Sequence, residues 1–451
     1  MKNRIRKARQ FVQLTIVIVL CVYSAKAQHS FTSVEECMRF GVERNLTVKN
    51  AALDTRIAAN TYLSALGEFA PAVEAYGKGG KRFGRSVDPK TNLYTSTSFI
   101  ESNMGLNVSL PLFEGFIRVN RAKFERLNKQ ISRLSAEVRK NEVAFDVMDA
   151  YFNLVLEERL LALTREQCEL TRKYKRQMEV FLETGIKSKA DMQEMEARLR
   201  ADLYQLTYRE NSKELASLRL KQLLDLPESD SLSVHFVAGD YGITGTAPVS
   251  SDSLYLASLE TLPEARAMEL RIQASRKKLA LAKGSFAPAF KAEYFLSTGF
   301  YNTERRDDNT VIPFGTQLNN NLNHYVGLSV SIPIFNGLRK ITALKNERLA
   351  LRKTENDVSY EKQQLRHDVE NACLSLQAAA QEYRKAAEQV KAEEINLRTM
   401  HRKWEEGLVS LFELMEVRNR FIAARAEQAR TGMQYVIQRK TVRFYETGTF
   451  F

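Results

Sequence analysis

Two pairs of acids have the spacing from which chemistry could follow. Glu413 and Glu416 stand three apart just after Trp404-Glu405-Glu406-Gly407-Leu408-Val409-Ser410, and Asp191 and Glu194 stand three apart just after Gly185-Ile186-Lys187-Ser188. Residues three apart share one helix face, so each pair offers neighbouring carboxylates, which attract cations and can hold divalent ions. Acids at a helix start also complement the helix dipole, and a solvated first turn explains the same residues without a ligand. Both readings stand at this level. Other reactive types are poorly placed. His29, His235, His324, His367 and His401 are dispersed, and no metal-spaced His/Cys cluster accompanies them. Gly77-Lys78-Gly79-Gly80-Lys81 lacks the spacing of a phosphate-binding loop and falls within an expected strand. Cys37, Cys168 and Cys373 read as buried small hydrophobes. No enzyme, cofactor or metal site is expected.

The elements that would carry these acids are given twice. SLPLFEGFIRVNRAKFERL at 109–127 returns as SIPIFNGLRKITALKNERL at 331–349, an offset of 222 residues that also pairs Gly185 with Gly407, Ser188 with Ser410 and Glu194 with Glu416. A register held this long is duplication. After Gly115 and after Gly337, 69 residues pass before the next Gly or Pro. Each run suits a helix of about 100 Å. The expected organisation is a signal peptide at 1–27 and a first repeat at 28–226, with a helix, a β-hairpin at 72–113, a long helix at 115–184 and a return helix at 186–226. An equatorial linker at 227–250 follows. The second repeat, 251–451, has a helix, a hairpin at 288–335, a long helix at 337–406, a return helix at 408–447 and a tail. The leading helices are expected over Val34–Leu66 and Ser253–Lys283. One return helix and one leading helix together match a long one, so coiled-coil pairing along the long runs is expected.

Composition agrees with long amphipathic helices: 44% hydrophobic and 27% charged residues, with only 9 prolines. The formal charge of +13 falls to +7 once the six bases of residues 1–27 are set aside, and the remainder is mixed with acids along the helices. Solvated helix faces explain it better than a nucleic-acid surface. Residues 1–27 have a basic start, an apolar core from Phe11 to Tyr23 and Ala25-Lys26-Ala27, the form of a secretory signal. Leu20 before Cys21 argues against lipid attachment.

Four segments alternate with period two. Met104, Leu106, Val108, Leu110 and Leu112 form one face against Asn103, Gly105, Asn107 and Ser109; Val326, Leu328, Val330, Ile332 and Ile334 do the same, as do Phe290, Ala292, Tyr294 and Leu296. Ala72–Gly84 is a blurred fourth. Polar links at 85–98 and 302–321 join them into antiparallel hairpins. In a secreted chain this pattern suits a transmembrane barrel, yet four strands cannot close one. Open edges cannot face lipid, so several copies must share the barrel. Tyr76, Phe83, Phe113, Phe300, Phe314 and Phe335 would serve as interfacial aromatics.

The order helix, hairpin, long helix, return helix, given twice, resembles the outer-membrane efflux protein family of TolC-like channels. So do the junctions Ser109-Leu110-Pro111-Leu112-Phe113-Glu114-Gly115 and Ser331-Ile332-Pro333-Ile334-Phe335-Asn336-Gly337. At Pro111 and Pro333 the strand ladder should end, and Gly115 and Gly337 should give the backbone room to turn into a helix. The resemblance implies a mainly α chain with a small transmembrane β part. It implies a homotrimer whose 12-stranded β-barrel, four strands per chain, lies in outer-membrane lipid and continues as a long periplasmic α-helical coiled-coil barrel.

The resemblance also assigns sites. Glu413 and Glu416 occupy positions where such channels carry constricting aspartates, with Asp191 and Glu194 as first-repeat equivalents and Trp404 as a gating aromatic. Glu in place of Asp leaves the ring diameter open. Gly185, Ile186, Ser188, Gly407, Leu408 and Ser410 would meet a periplasmic adaptor protein. Lacking a nucleotide site, such a duct depends on an inner-membrane efflux pump or ABC transporter, in tripartite efflux or type I secretion. The contrasting reading is a secreted structural or adhesive coiled coil without a pore.

Overall fold

The computed structural model describes residues 28–84, 86–87, 93–95, 98–185, 188–235 and 250–450. The expected signal peptide, Ile186 and linker residues 236–249 lie outside the described residues. The chain begins with β1 (Gln28–Phe31), α1 (Val34–Arg44) and α2 (Leu46–Gly67), followed by β2 (Ala72–Arg82), β3 (Ser86–Val87), β4 (Tyr94–Thr95) and β5 (Phe99–Glu114). The long α3 (Ile117–Glu183) and the return helix α4 (Lys189–Leu223) complete the first repeat, and β6 (Ser231–Val234) leads to α5 (Ser251–Thr261) and α6 (Pro263–Gly284). Then come β7 (Ala289–Tyr301), α7 (Phe314–Asn320), β8 (Asn323–Ser331), the long α8 (Arg339–Glu405) and the return helix α9 (Leu411–Thr447).

Both leading helices are broken where single helices were expected. Asn45 ends α1, and its side chain accepts from the Thr47 N–H at 2.8 Å at the start of α2. Between α5 and α6, Leu262 is extended, as a residue before proline prefers, and Pro263 takes the first helical position. The linker is not wholly irregular either, because β6 pairs in parallel with β1.

The chain folds as two compact units, each assembled from segments distant in sequence. One gathers the described parts of 1–52, 134–266 and 361–451. Its core repeats the duplication: Val143, Val147, Ala150 and Leu154 of α3 lie in one buried cluster, and Leu365, Val369, Ala372 and Leu376, each 222 residues on in α8, lie in another. Each fully buried Val or Leu of these stripes contributes about 1.5–3 kcal/mol. Cys37, Cys168 and Cys373 are free and buried, as small hydrophobes. Burial pushes the Cys37 thiol up to about 12, with the charge of Glu36 adding to the shift.

The other unit, 53–133 with 267–360, contains a four-stranded antiparallel sheet in the order β2-β5-β7-β8. Its register brings the expected alternations onto one face. Val73 stands opposite Val108, Val108 opposite Tyr294, and Tyr294 opposite Val326; likewise Leu110, Ala292 and Leu328 form one row. The other face carries Glu74, Lys78, Asn103, Asn107, Ser109, Glu293 and Ser329. The polar link at 302–321 is more ordered than a plain loop: it includes α7, whose buried Gln317 bonds the backbone N–H and carbonyl of Tyr301 at 2.8 and 3.0 Å.

Candidate functional site

Two regions concentrate the functional candidates, and the first is the sheet. Among the described residues its edge strands β2 and β8 each have one neighbour, which leaves a row of backbone donors and acceptors on each outer side. Val326, Leu328 and Val330 on β8 are 79%, 75% and 55% exposed, far more apolar surface than a solvated edge strand carries. Tyr76, expected among interfacial aromatics, stands by register opposite Gly105 on the polar face.

Pro111 does not end its ladder. β5 runs on to Glu114 through a register shift between Pro111 and Phe113, a bulge that skips Leu112. Phe113, rather than Leu112, then joins the apolar face, its ring 6.1 Å from Phe290. Pro333 lies beyond the end of β8 at Ser331, where its missing N–H costs no ladder bond. Gly115 and Gly337 adopt φ of 60° and 66°, and the residues after them, Phe116 and Leu338, are also left-handed at 60° and 67°. Each junction is therefore a two-residue left-handed turn, with strain at its non-glycine member. Gly115 has a second constraint, for a Cβ there would lie 2.3 Å from the Gly284 carbonyl oxygen, whereas at Gly337 nothing lies within 4 Å.

The second region is the helix turns that carry the paired acids. α8 ends at Glu405; Gly407, at φ 75°, donates to the Trp404 carbonyl, and Leu408 donates to that of Lys403 at 2.8 Å. That pair of bonds is a left-handed helix stop of the kind glycine favours. Ser410 then caps α9: its Oγ accepts from the Glu413 N–H at 3.2 Å, and the Glu413 carboxylate accepts from the Ser410 N–H at 2.7 Å. Ser188 and Asp191 form the same reciprocal cap on α4, at 3.2 and 3.0 Å. Hydrogen bonds from the Ser410 backbone and hydroxyl hold the Glu413 carboxyl below its ordinary value, opposite to the raised proton affinity that mutual repulsion would produce. Glu416 is 73% exposed at its side chain and pairs with Arg420 at 2.9 Å; Glu194 is exposed. Leu411, Leu414 and Met415 bury the opposite side of α9, so Glu413 and Glu416 share its outer face.

Trp404 faces the core of this region. Its ring meets Tyr174 edge-on at 5.6 Å and lies against the buried cluster of Tyr174, Met178, Met195, Leu411, Leu414 and Met415. Its contact within the chain is packing between helices. Gly185 has φ 74° and, like Leu408, is exposed; Leu408 is 69% exposed.

A buried polar node near these turns was not foreseen. Asp202 of α4, 4% exposed, accepts from Thr171 Oγ1 and Gln167 Nε2 of α3, each at 2.7 Å. Arg418 of α9, also 4% exposed, donates to the Gln167 carbonyl at 3.1 Å. Burial pulls its guanidinium below the ordinary range, and the charges of Tyr174, Asp202 and Glu166 oppose that pull. The sequence holds a faint signal: Arg418 stands four residues after Leu414 and Asp202 seven after Met195, each on an apolar stripe. Under the 222-residue offset they correspond to Glu196 and Ala424, so duplication obscures the pair.

The sequence profile of the family described as "Outer membrane efflux protein" matches residues 42–225 and 254–445. No curated protein matches the chain. Among solved structures, the CmeC outer membrane channel of Campylobacter jejuni aligns with a TM-score of 0.78 at 14% identity, over 92% of this chain and 85% of that one. The outer membrane protein VceC of Vibrio cholerae aligns at 0.75 and 12%, over 93% and 97%. The open state of the MtrE outer membrane channel of Neisseria gonorrhoeae aligns at 0.75 and 16%, over 92% and 89%. These likenesses show a shared fold.

Proposed function

Because the chain belongs to the outer membrane efflux protein family, and is thus an efflux channel of the outer membrane with a helical periplasmic extension, we propose that it forms the homotrimeric exit duct of a tripartite system. The observation that carries this reading is the sheet, with one apolar face, one polar face and two open edges. In lipid every edge must be paired, and three copies of four strands supply the twelve of one closed barrel. The apolar face would meet lipid and the polar face the lumen.

The turns at Gly185-Ile186-Ser188 and Gly407-Leu408-Ser410 would dock a periplasmic adaptor. Energy would come from an inner-membrane efflux pump or, in type I secretion, an ABC transporter. Glu413 and Glu416 would ring the entrance with six carboxylates, and Asp191 and Glu194 would form a secondary ring. The test joins assembly to conduction: purified protein should run as a trimer in mild detergent, conduct in a planar bilayer, and form an intersubunit disulfide when Ala75→Cys on β2 and Val326→Cys on β8 are combined. A monodisperse monomer without conductance would sink the reading.

A further inference from the structure

Away from the sheet and the helix turns, a cavity of about 360 Å³ opens between α3, the start of α6 and the end of α9. It is walled by Phe145, Phe444 and Phe450, with Glu142, Asp146 and Glu264 also in the lining. Phe450 stacks on Phe444 at 4.5 Å and 4°, and Phe145 closes against Phe450 at 5.9 Å. The segment bearing Phe450 is tied to α3 by Asn141, whose buried Nδ2 donates to the Gly448 carbonyl at 3.1 Å.

The charge of this lining is one-sided. The chain has 67 Lys and Arg against 54 Asp and Glu, yet among the described residues the lining holds three acids and no base. Glu142 is answered by Arg139, whereas Glu264 and Asp146 have no ion pair among the described residues. Burial raises the Glu264 carboxyl, and the charge of Glu142 raises it further. Two acids and several ring faces around one space leave a negative potential that a cation would relieve, and aromatic faces attract cations through their quadrupoles. The volume is at the low end for small-molecule sites, suiting a body of one or two rings. In the other repeat, Phe145, Glu142 and Glu264 correspond to His367, Gln364 and Val42, so the duplication does not repeat this lining.

We propose that this cavity binds an organic monocation with a compact aromatic or branched apolar body, its charge held by Glu264 and Asp146 and its body against Phe145 and Phe450. This binding is separate from conduction and does not depend on the chain forming a pore.

The probe is benzyltrimethylammonium, titrated into the full chain in detergent and followed by saturation-transfer NMR, with empty micelles as the blank. Saturable binding is expected at millimolar or lower probe concentration. Glu264→Gln, nearly isosteric, should weaken it about tenfold or more, the loss of roughly one charge contact. Phe450→Ala should weaken it as well, and Glu388→Ala, an exposed acid of α8 paired with Lys385, should leave it unchanged. Neutral benzyl alcohol should not compete. Absence of saturable binding, equal affinity in Glu264→Gln, or equal competition by benzyl alcohol would each overturn the proposal. Because Glu264→Gln keeps the cavity's shape, a folding defect in Phe450→Ala leaves the test decisive.

Discussion

Breaking the Asp202–Arg418 node should loosen α9 from α3 and α4, and the structure orders the variants that do so. Arg418→Met removes a buried charge but leaves Asp202 both of its hydrogen bonds, to Thr171 and Gln167. The two charges are not in direct contact, so the cost is placed at the low end for breaking a buried pair, about 3 kcal/mol. Asp202→Leu removes the buried carboxylate that offsets the guanidinium and also takes one hydrogen bond each from Thr171 and Gln167, adding about 1 kcal/mol for each lost hydrogen bond and bringing the total to about 5 kcal/mol. If these residues open by local unfolding, amide exchange accelerates about tenfold per 1.4 kcal/mol. Peptides covering 411–425 should then exchange about 100-fold faster in Arg418→Met and about 1,000-fold or more in Asp202→Leu. The double variant should come back toward wild type, since an apolar pair replaces a desolvated ionic one. Hydrogen exchange with mass spectrometry on the detergent-solubilised protein reads this directly, with peptides of β5 as the unchanged control. Unaltered exchange in Asp202→Leu, or a double variant faster than both singles, would refute the reasoning.

Combined Glu413→Ala and Glu416→Ala should weaken cation preference and divalent block in single-channel recordings with trimer yield near normal, and Asp191→Ala with Glu194→Ala should do so less; unchanged selectivity would return all four acids to a purely helix-starting role. The junction glycines should differ in tolerance, because a side chain at Gly115 meets the Gly284 carbonyl while one at Gly337 meets open space. Outer-membrane trimer yield should collapse in Gly115→Val and fall less in Gly337→Val, where the main cost is the left-handed backbone. The Glu413 cap should respond to acid. Its carboxyl is held below the ordinary 4.5, so its contribution is complete above that value and is lost as pH falls through the lower folded one. Exchange at the first turn of α9 should rise in that window in the wild type, and a Glu413→Gln variant that keeps the same pH dependence would contradict the assignment.

The sequence by itself determined the main elements and their duplication. Strict period-two alternation and unbroken helical runs are local patterns, so the strands, the two 67-residue helices and the paired turns at Gly185 and Gly407 were legible from residue spacing alone. The paired acids were legible as well, but not their bonding: a carboxylate three residues after Ser410 can cap a helix or face a lumen, and sequence spacing is the same for both. Tertiary structure decided what depends on residues far apart in the chain. It brought four separate alternations onto one sheet face through their register, placed a bulge at Leu112 that exchanges it for Phe113, and turned Trp404 onto Tyr174. It also buried Asp202 and Arg418 within one cluster of helices. Burial and partner choice are set by packing between segments hundreds of residues apart, which local periodicity does not encode.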